Sequence, residues 1–209
     1  MILDIRQLFH DFRITPKGVI HIGAHEGQEL PIYLAMGFNR ILFVEANPNV
    51  FIRLQANIGA FPQVKAVQCA ISDRNGTEVL HVTNFDASSS ILPLKRHLDI
   101  YPSIQEEAQV AVTSRTLDLL LHEINEPADQ YNFINIDIQG AELRALSGAL
   151  ATLKHIAAIN SEVNFEELYA GGVLIHDLDA FLASQSFHRV AAAAPHHPSW
   201  GDAFYVKGR

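Results

Sequence analysis

The run His21-Ile22-Gly23-Ala24-His25-Glu26-Gly27 follows a short apolar stretch. Glycines reach backbone conformations closed to other residues and let a ligand approach the main chain. The spacing here is G-x-x-x-G. It lacks the Gly-Lys-Ser/Thr ending of a phosphate loop, and it is not the G-x-G-x-x-G of a dinucleotide site. A second apolar stretch ends in Glu45, 22 residues beyond Gly23. An acid at that place accepts hydrogen bonds from both hydroxyls of a ribose. Taken singly, these features are a tight turn and a solvated charge. Taken together, they describe a site for a nucleoside without a pyrophosphate, which fits S-adenosylmethionine better than NAD.

Three later segments end in residues of the same kind. Cys69-Ala70-Ile71-Ser72-Asp73 borders the expected adenine position, with Ala70 and Ile71 beside the ring; core packing and a turn explain them equally well. Asp137-Ile138-Gln139-Gly140-Ala141-Glu142 puts Asp137 at the reacting end, where an acid orients an amino group, takes a proton or holds a metal. Glu142 falls in the first turn of a helix, where the dipole favours an acid. Glu162 and Asn164 share one side of an extended chain, because side chains alternate with period two. With Asp137 they make three oxygen ligands of the kind Mg²⁺ prefers. Hydrogen bonding to a polar acceptor is the favoured use; a divalent metal is the alternative, not favoured. Methyl transfer to a hydroxyl benefits from a base. The candidates are Asp137, His25 and Glu162, with His176, His188, His196 and His197 further away in sequence. Ser89, Ser90, Asn164 and Trp200 are the polar and aromatic residues left to meet an acceptor.

The elements that must position these residues alternate. Gly18–Ile22, Arg40–Glu45, Val64–Ala70, Tyr131–Asp137 and His155–Glu162 read as strands, and 77–83, 110–113, 187–192 and 203–207 as further ones. Helices are expected over 28–36, 48–57, 116–122, 140–153 and 175–184, the first stopped by Gly37. Strands apolar throughout, each followed by a helix, imply a mostly parallel sheet covered on both faces. With right-handed crossovers this is a doubly wound, Rossmann-like α/β fold. Ligands then sit outside the carboxyl ends of the strands, where the candidate residues fall. Residues 1–15 read as an N-terminal helical extension of a single domain, and 84–109 as an irregular lid or substrate loop.

Bulk composition bounds the rest. The chain has 209 residues, 48% hydrophobic and 18% charged, which suits one domain with a sizeable core. A formal net charge of −8 argues against a nucleic-acid binder and for a small-molecule acceptor. No stretch approaches the ~20 apolar residues of a membrane span. Met1–Phe12 carries Asp4, Arg6 and Asp11 within its apolar pattern, unlike a signal peptide. With one cysteine, Cys69, the expected address is the cytoplasm. The oligomeric state is open, a homodimer being one expectation.

Six segments in order and spacing resemble the FkbM family of S-adenosylmethionine-dependent methyltransferases. They are Ile20 through Glu29, Val44-Glu45-Ala46-Asn47-Pro48, Ala70 through Asp73, Ser88 through Leu92, Thr116-Leu117-Asp118 and Asp137 through Glu142. The likeness runs from about 18 to 207. It implies a class I methyltransferase fold with a seven-stranded sheet, S-adenosylmethionine as cofactor, and O-methylation of a sugar or secondary metabolite. The family's cofactor loop maps onto Gly23, Ala24, His25 and Gly27, its ribose acid onto Glu45 and its later acid onto Asp137. The full set expected around the cofactor adds His21, Ala46, Ala70, Ile71 and Ser72. Two positions depart: many members have Asp where this chain has His21, and Glu where it has Gln139. The rival readings are an NAD-dependent oxidoreductase on the same fold, a non-catalytic cofactor-binding protein and an RNA methyltransferase.

Overall fold

A computed structural model describes residues 1–208. Its centre is a seven-stranded sheet. The strands are β1 (Gly18–Ile22), β2 (Arg40–Glu45), β3 (Val64–Gln68), β7 (Phe133–Ile136), β8 (Ala158–Asn164), β9 (Phe187–His197) and β10 (Trp200–Lys207), in the order β3-β2-β1-β7-β8-β10-β9. Pairing is parallel from β3 through β8; β10 runs antiparallel to both β8 and β9. This is the expected α/β class. The order reverses at β1, so a crevice opens between β1 and its neighbours at their carboxyl ends.

Period-two alternation explains why the strands read as apolar throughout. Ile20, Ile22, Leu42, Val44, Ile134 and Ile136 face one core with Leu117, Leu120, Leu146, Leu178 and Leu182. These come from α5 (Leu117–Glu123), α6 (Glu142–Ser147) and α7 (Ile175–Ser184). Val19, Ile41, Phe43, Phe133 and Phe204 face the other core, against α1 (Ile5–Asp11), α2 (Leu30–Met36) and α3 (Pro48–Ile58). Helix α1, capped by the Asp4 side chain on the amides of Arg6 and Gln7, drives Phe9 edge-on against Phe133 at 5.0 Å between ring centres. It is part of the core rather than an appendage.

Several expected strands shift their bounds, β9 running on to His197 and β10 starting from Trp200, and four elements differ more deeply. The 64–70 strand is broken: β3 stops at Gln68, and β4 (Ala70–Ile71) joins a second sheet with β5 (Gly76–Thr83) and β6 (Glu106–Arg115), in the order β4-β6-β5. Cys69 N–H still donates to the Glu45 carbonyl at the break. Strand β6 begins at Glu106, inside the stretch read as irregular; the register with β5, not apolar alternation, makes it a strand. Helix α2 begins at Leu30, not Gln28, with Pro31 in its first turn. Helix α6 is far shorter than 140–153. A Cβ on Gly148 would lie 2.3 Å from the Ser72 carbonyl oxygen, so close packing on the 72 turn ends the helix there.

Residues 84–105 connect β5 to β6 and carry only a 3₁₀ turn (Asp86–Ser88) and the one-turn helix α4 (His97–Ile100). They form a strap across the carboxyl edge of the large sheet. It is pinned by Arg53, which pairs with Asp86 and Glu26, and by Trp200 Nε1 donating to Tyr101 Oη at 3.1 Å.

Candidate active site at the carboxyl edge of the sheet

Gly23 leaves β1 with φ of +79°, and its amide donates to the Val44 carbonyl. A Cβ there would sit 1.8 Å from the Asp137 carbonyl oxygen. Only glycine lets the β1 turn pass so close to the end of β7. His25 also takes a left-handed conformation, φ +47°, and this aims its amide at Glu45 Oε2, 2.9 Å away. The other oxygen of Glu45 accepts the Asn47 amide at 2.8 Å. Burial pushes the Glu45 carboxyl up, while these amides pull it back. The loop after β1 and the acid ending β2 are thus tied directly together. Gln28 Nε2 donates to His25 Nδ1 at 2.9 Å. The neutral His25 ring therefore carries its proton on Nε2 and acts as a donor.

Two chambers meet at this turn. The first, about 690 Å³ including its open mouth, is walled by Glu45, Ala46, Ala70, Ile71, Leu80 and Ile91. The second, about 540 Å³, is walled by His21, Glu29, Asn135, Asn160, Glu162 and Asp202. Gly23, His25, Asp137 and, from the strap, Ala87 line both. The first chamber is largely apolar with the carboxylates of Glu45, Asp86 and Asp137 at its edges, and the second is polar.

Behind Asp137 lies a built arrangement of acids. Gln139, left-handed at φ +58°, donates its amide to Asp137 Oδ1 at 2.8 Å and to Glu162 Oε2 at 2.7 Å. Its Oε1 accepts the Tyr169 hydroxyl at 2.6 Å. Its carbonyl accepts the Ser90 hydroxyl at 2.9 Å. Glu142 is fully buried; one oxygen accepts the amides of Ile138 and Gly140, holding the turn that carries Asp137 and Gln139. Burial pushes Glu142 up to about 7. Burial, then the neighbouring Asp137 charge, hold Glu162 well above the usual carboxylate range, favouring its protonated form. Asp202 is raised mainly by burial too.

The expected residues divide by position. Gly23, His25, Glu45, Ala46, Ala70, Ile71 and Asp137 line the first chamber; His21, Ala24 and Glu162 line the second. Four fall outside both walls. Gly27 packs its Cα face on Leu54 and Ile58 of α3. Ser72 packs its carbonyl on Gly148 at the end of α6, and its amide donates to the Arg115 carbonyl. Asn164 is buried with neither end of its amide hydrogen-bonded. Trp200 holds the strap through Tyr101 and stacks on His196. Ser89 and Ser90 line the first chamber, not the second, and both hydroxyls hold the strap: Ser89 Oγ accepts the Thr83 amide, and Ser90 Oγ donates to Gln139. The amides of Gly23 and Ala24 are both spent on the Val44 carbonyl. The trio Asp137, Glu162 and Asn164 does not form, and among the described residues no three His, Cys, Asp or Glu side chains gather as cation ligands.

Sequence reasoning named Gln139 only as a departure from the family pattern, and it missed Asn135, Asn160 and Tyr169. Asn135 did leave a signal, as the one amide in the apolar run Phe133–Ile136; Asn160 did not, since its strand also carries Ser161, Glu162 and Asn164. Asn135 and Asn160 pair across the sheet, Asn160 Nδ2 donating to Asn135 Oδ1 at 2.9 Å. Asn135 Nδ2 in turn donates to His21 Nε2 and Tyr33 Oη. Burial lowers the His21 pKa, so His21 is a neutral member of this row. That is what replaces an acid at this position.

The Methyltransferase FkbM domain profile matches residues 21–189. The chain belongs to the FkbM methyltransferase family. It is 30% identical over 161 residues to the 2-O-methyltransferase NoeI of Sinorhizobium fredii. That alignment covers 73% of this chain and 65% of NoeI, so the chain spans about two thirds of that relative's length. The magnesium protoporphyrin IX methyltransferase of Synechocystis, solved with bound S-adenosylmethionine, superposes with a TM-score of 0.53 at 8% identity, over 98% of this chain and 76% of that one. A Streptococcus pneumoniae protein provisionally classed as a tRNA (m1A22) methyltransferase reaches 0.56 at 11% identity, over 100% and 72%. At such identities these structures show a shared fold alone. Family membership does not favour the NAD-dependent oxidoreductase reading. No helix of the described residues is long and apolar enough to cross a membrane.

Proposed function

We propose that this chain is an S-adenosylmethionine-dependent O-methyltransferase acting on a hydroxyl of a small polar acceptor of the sugar or secondary-metabolite class. One observation carries the reading: an apolar chamber closed by Glu45 opens into a polar chamber at Gly23, His25 and Asp137. The first fits an adenosine, with Glu45 on the ribose and Ala70 and Ile71 along the base. The second fits the amino-acid tail and the acceptor. Bound there, S-adenosylmethionine supplies a methyl group on a positive sulfur that leaves as a neutral thioether.

The residues have the remaining work. Asp137, lining both chambers, takes the acceptor hydroxyl's proton as the new oxygen–carbon bond forms. Glu162 keeps its own proton and, with Gln139, holds Asp137 in place. His25 contributes a donor at the junction, not a base. The strap keeps water from the reacting atoms, and alignment of donor and acceptor supplies most of the acceleration. A cytoplasmic address belongs to this reading, supported by the lone buried thiol of Cys69. NoeI's 2-O-methylation supports oxygen as the acceptor atom. The test is calorimetric titration with S-adenosylhomocysteine and with NAD, followed by tritiated methyl transfer to hydroxyl and amine acceptors. Binding of S-adenosylhomocysteine but not NAD, with label on hydroxyls, is expected. NAD binding, or label only on nitrogen, defeats the proposal.

A further inference from the structure

Beyond the second chamber the sheet carries one more pair of side chains. Across β8 and β10, Glu162 faces Asp202, and Asn164 faces Trp200. The inner pair lines the second chamber. The outer pair stands on the same side of the sheet, two residues and about 7 Å further toward the carboxyl end of β8. Asn164 is 2% exposed, yet neither its Nδ2 nor its Oδ1 has a hydrogen-bond partner. A buried amide unpaired at both ends is costly, and few such groups occur in folded proteins. The strap meets this corner through one hydrogen bond, from Trp200 Nε1 to Tyr101 Oη at 3.1 Å. Tyr101 is half-buried, just past α4, with its ring 5.2 Å from His97 and 6.4 Å from His197 between centres. His97 Nδ1 is also buried without a partner.

We propose that Asn164, Trp200 and Tyr101 form the subsite that holds the acceptor's sugar ring, a neutral pyranoside gripped by its hydroxyls, with Tyr101 as the side chain that closes it. The inner pair is left to the cofactor's amino-acid tail and the reacting hydroxyl. The groups on offer outside it are uncharged: an amide, an indole N–H, a phenol and an imidazole whose pKa burial lowers. An amide free at both ends requires a partner that donates and accepts at neighbouring atoms, and adjacent ring hydroxyls do both. The Tyr101 hydroxyl occupies the Trp200 N–H; when the tyrosine side chain turns outward, that donor passes to the ligand. The indole ring gives the C–H face of a pyranose an apolar surface. Gln139 spans Asp137 and Glu162, so a ring over Asn164 reaches Asp137 across a single side chain. The subsite rests on the proposed function for the step at Asp137, but the unpaired amide stands without it.

The experiment uses the whole chain. S-adenosylhomocysteine binding is measured first by calorimetry, and its failure defeats the methyltransferase reading; the subsite is judged by the two measurements that follow. Saturation-transfer NMR compares the methyl α-pyranosides of mannose, glucose and galactose with methyl cyclohexyl ether, a ring without hydroxyls. At least one glycoside is expected to bind and the ether is not. Asn164→Leu should weaken that glycoside at least ~10-fold, with S-adenosylhomocysteine affinity held within about two-fold. Because leucine fills the same space without orphaned polar atoms, the variant should also melt ~2–4 °C higher. Tyr101→Phe removes the closing hydrogen bond and should tighten the glycoside ~3-fold. An Asn164→Leu protein that melts lower or does not fold shows the amide to be paired, by an ordered water, in a purely structural role. That result, unchanged or weaker glycoside binding in Tyr101→Phe, unchanged binding in Asn164→Leu, binding of the ether as well, or binding of none of the glycosides overturns the inference.

Discussion

Glu142→Gln isolates a single carboxyl whose burden the structure makes explicit. The side chain is fully buried, with Oε1 accepting the Ile138 and Gly140 amides and Oε2 unpartnered. Burial raises it from 4.5 to about 7. In the unfolded chain it titrates at its ordinary value, so between these two pH values the native state holds the extra proton. Stability from this group is therefore complete below about pH 4.5 and is lost as pH rises through about 7. At ~1.4 kcal/mol per unit, the loss between pH 5 and 8 is roughly 3 kcal/mol. Gln keeps the oxygen that holds the Asp137 turn but cannot ionise. Urea unfolding of wild type and Glu142→Gln at pH 5, 6, 7 and 8 measures the difference of slopes. Glu45, Glu162 and Asp202 are raised as well, but they are present in both proteins and largely cancel. The wild type should lose roughly 3 kcal/mol more than the variant across that range. Parallel curves would refute the argument that burial outweighs the two amide hydrogen bonds to Glu142.

Four further outcomes follow from the site. Glu45→Ala removes the oxygens that hold His25 and Asn47 and that would bind the ribose; S-adenosylhomocysteine affinity by calorimetry should fall ~100-fold, two hydrogen bonds to a charged group, and unchanged affinity excludes the ribose role. Gly23→Ala must move the end of β7 and hold alanine in a left-handed conformation; it should lower the melting temperature by several degrees and abolish S-adenosylhomocysteine binding, with retention of both counting against the turn. Asp137→Asn should lower turnover at least ~100-fold with little change in cofactor affinity, and the reverse pattern would remove it as the proton acceptor. Tyr169→Phe deletes the hydroxyl that reaches both Gln139 and the Ser88 carbonyl. Limited proteolysis should then cut within 84–105 sooner, and an unchanged rate would show that the strap is held without it.

Local rules made some of this protein legible before its structure. Apart from His21, Val19 to Ile22 and Ile41 to Val44 are apolar because both faces of their sheet are covered, so their type and parallel arrangement could be read directly. Gly23 and Glu45 were legible because a tight turn and a strand-ending acid are needed at fixed places in any such crevice. Strand β6 from Glu106 to Gln109 was not legible, because it exposes most of its side chains and exists through its pairing with β5. The end of α6 was hidden for a similar reason: Leu150 and Leu153 continue the helical spacing, and only contact of Gly148 with Ser72, 76 positions away, stops the helix.

The amino-acid sequence alone determined the fold class, the glycine turn after β1 and the acid that ends β2, since each follows from periodicity or from backbone demands within a few residues. Tertiary structure decided which polar groups share a chamber. Asn135, Asn160 and Asp202 lie on three strands spread over 68 positions, and Gln139 meets Tyr169 30 residues on. Hydrogen bonds and carboxyl titration depend on distances of a few ångströms and on exclusion of water, and those quantities arise only when separate strands are laid side by side.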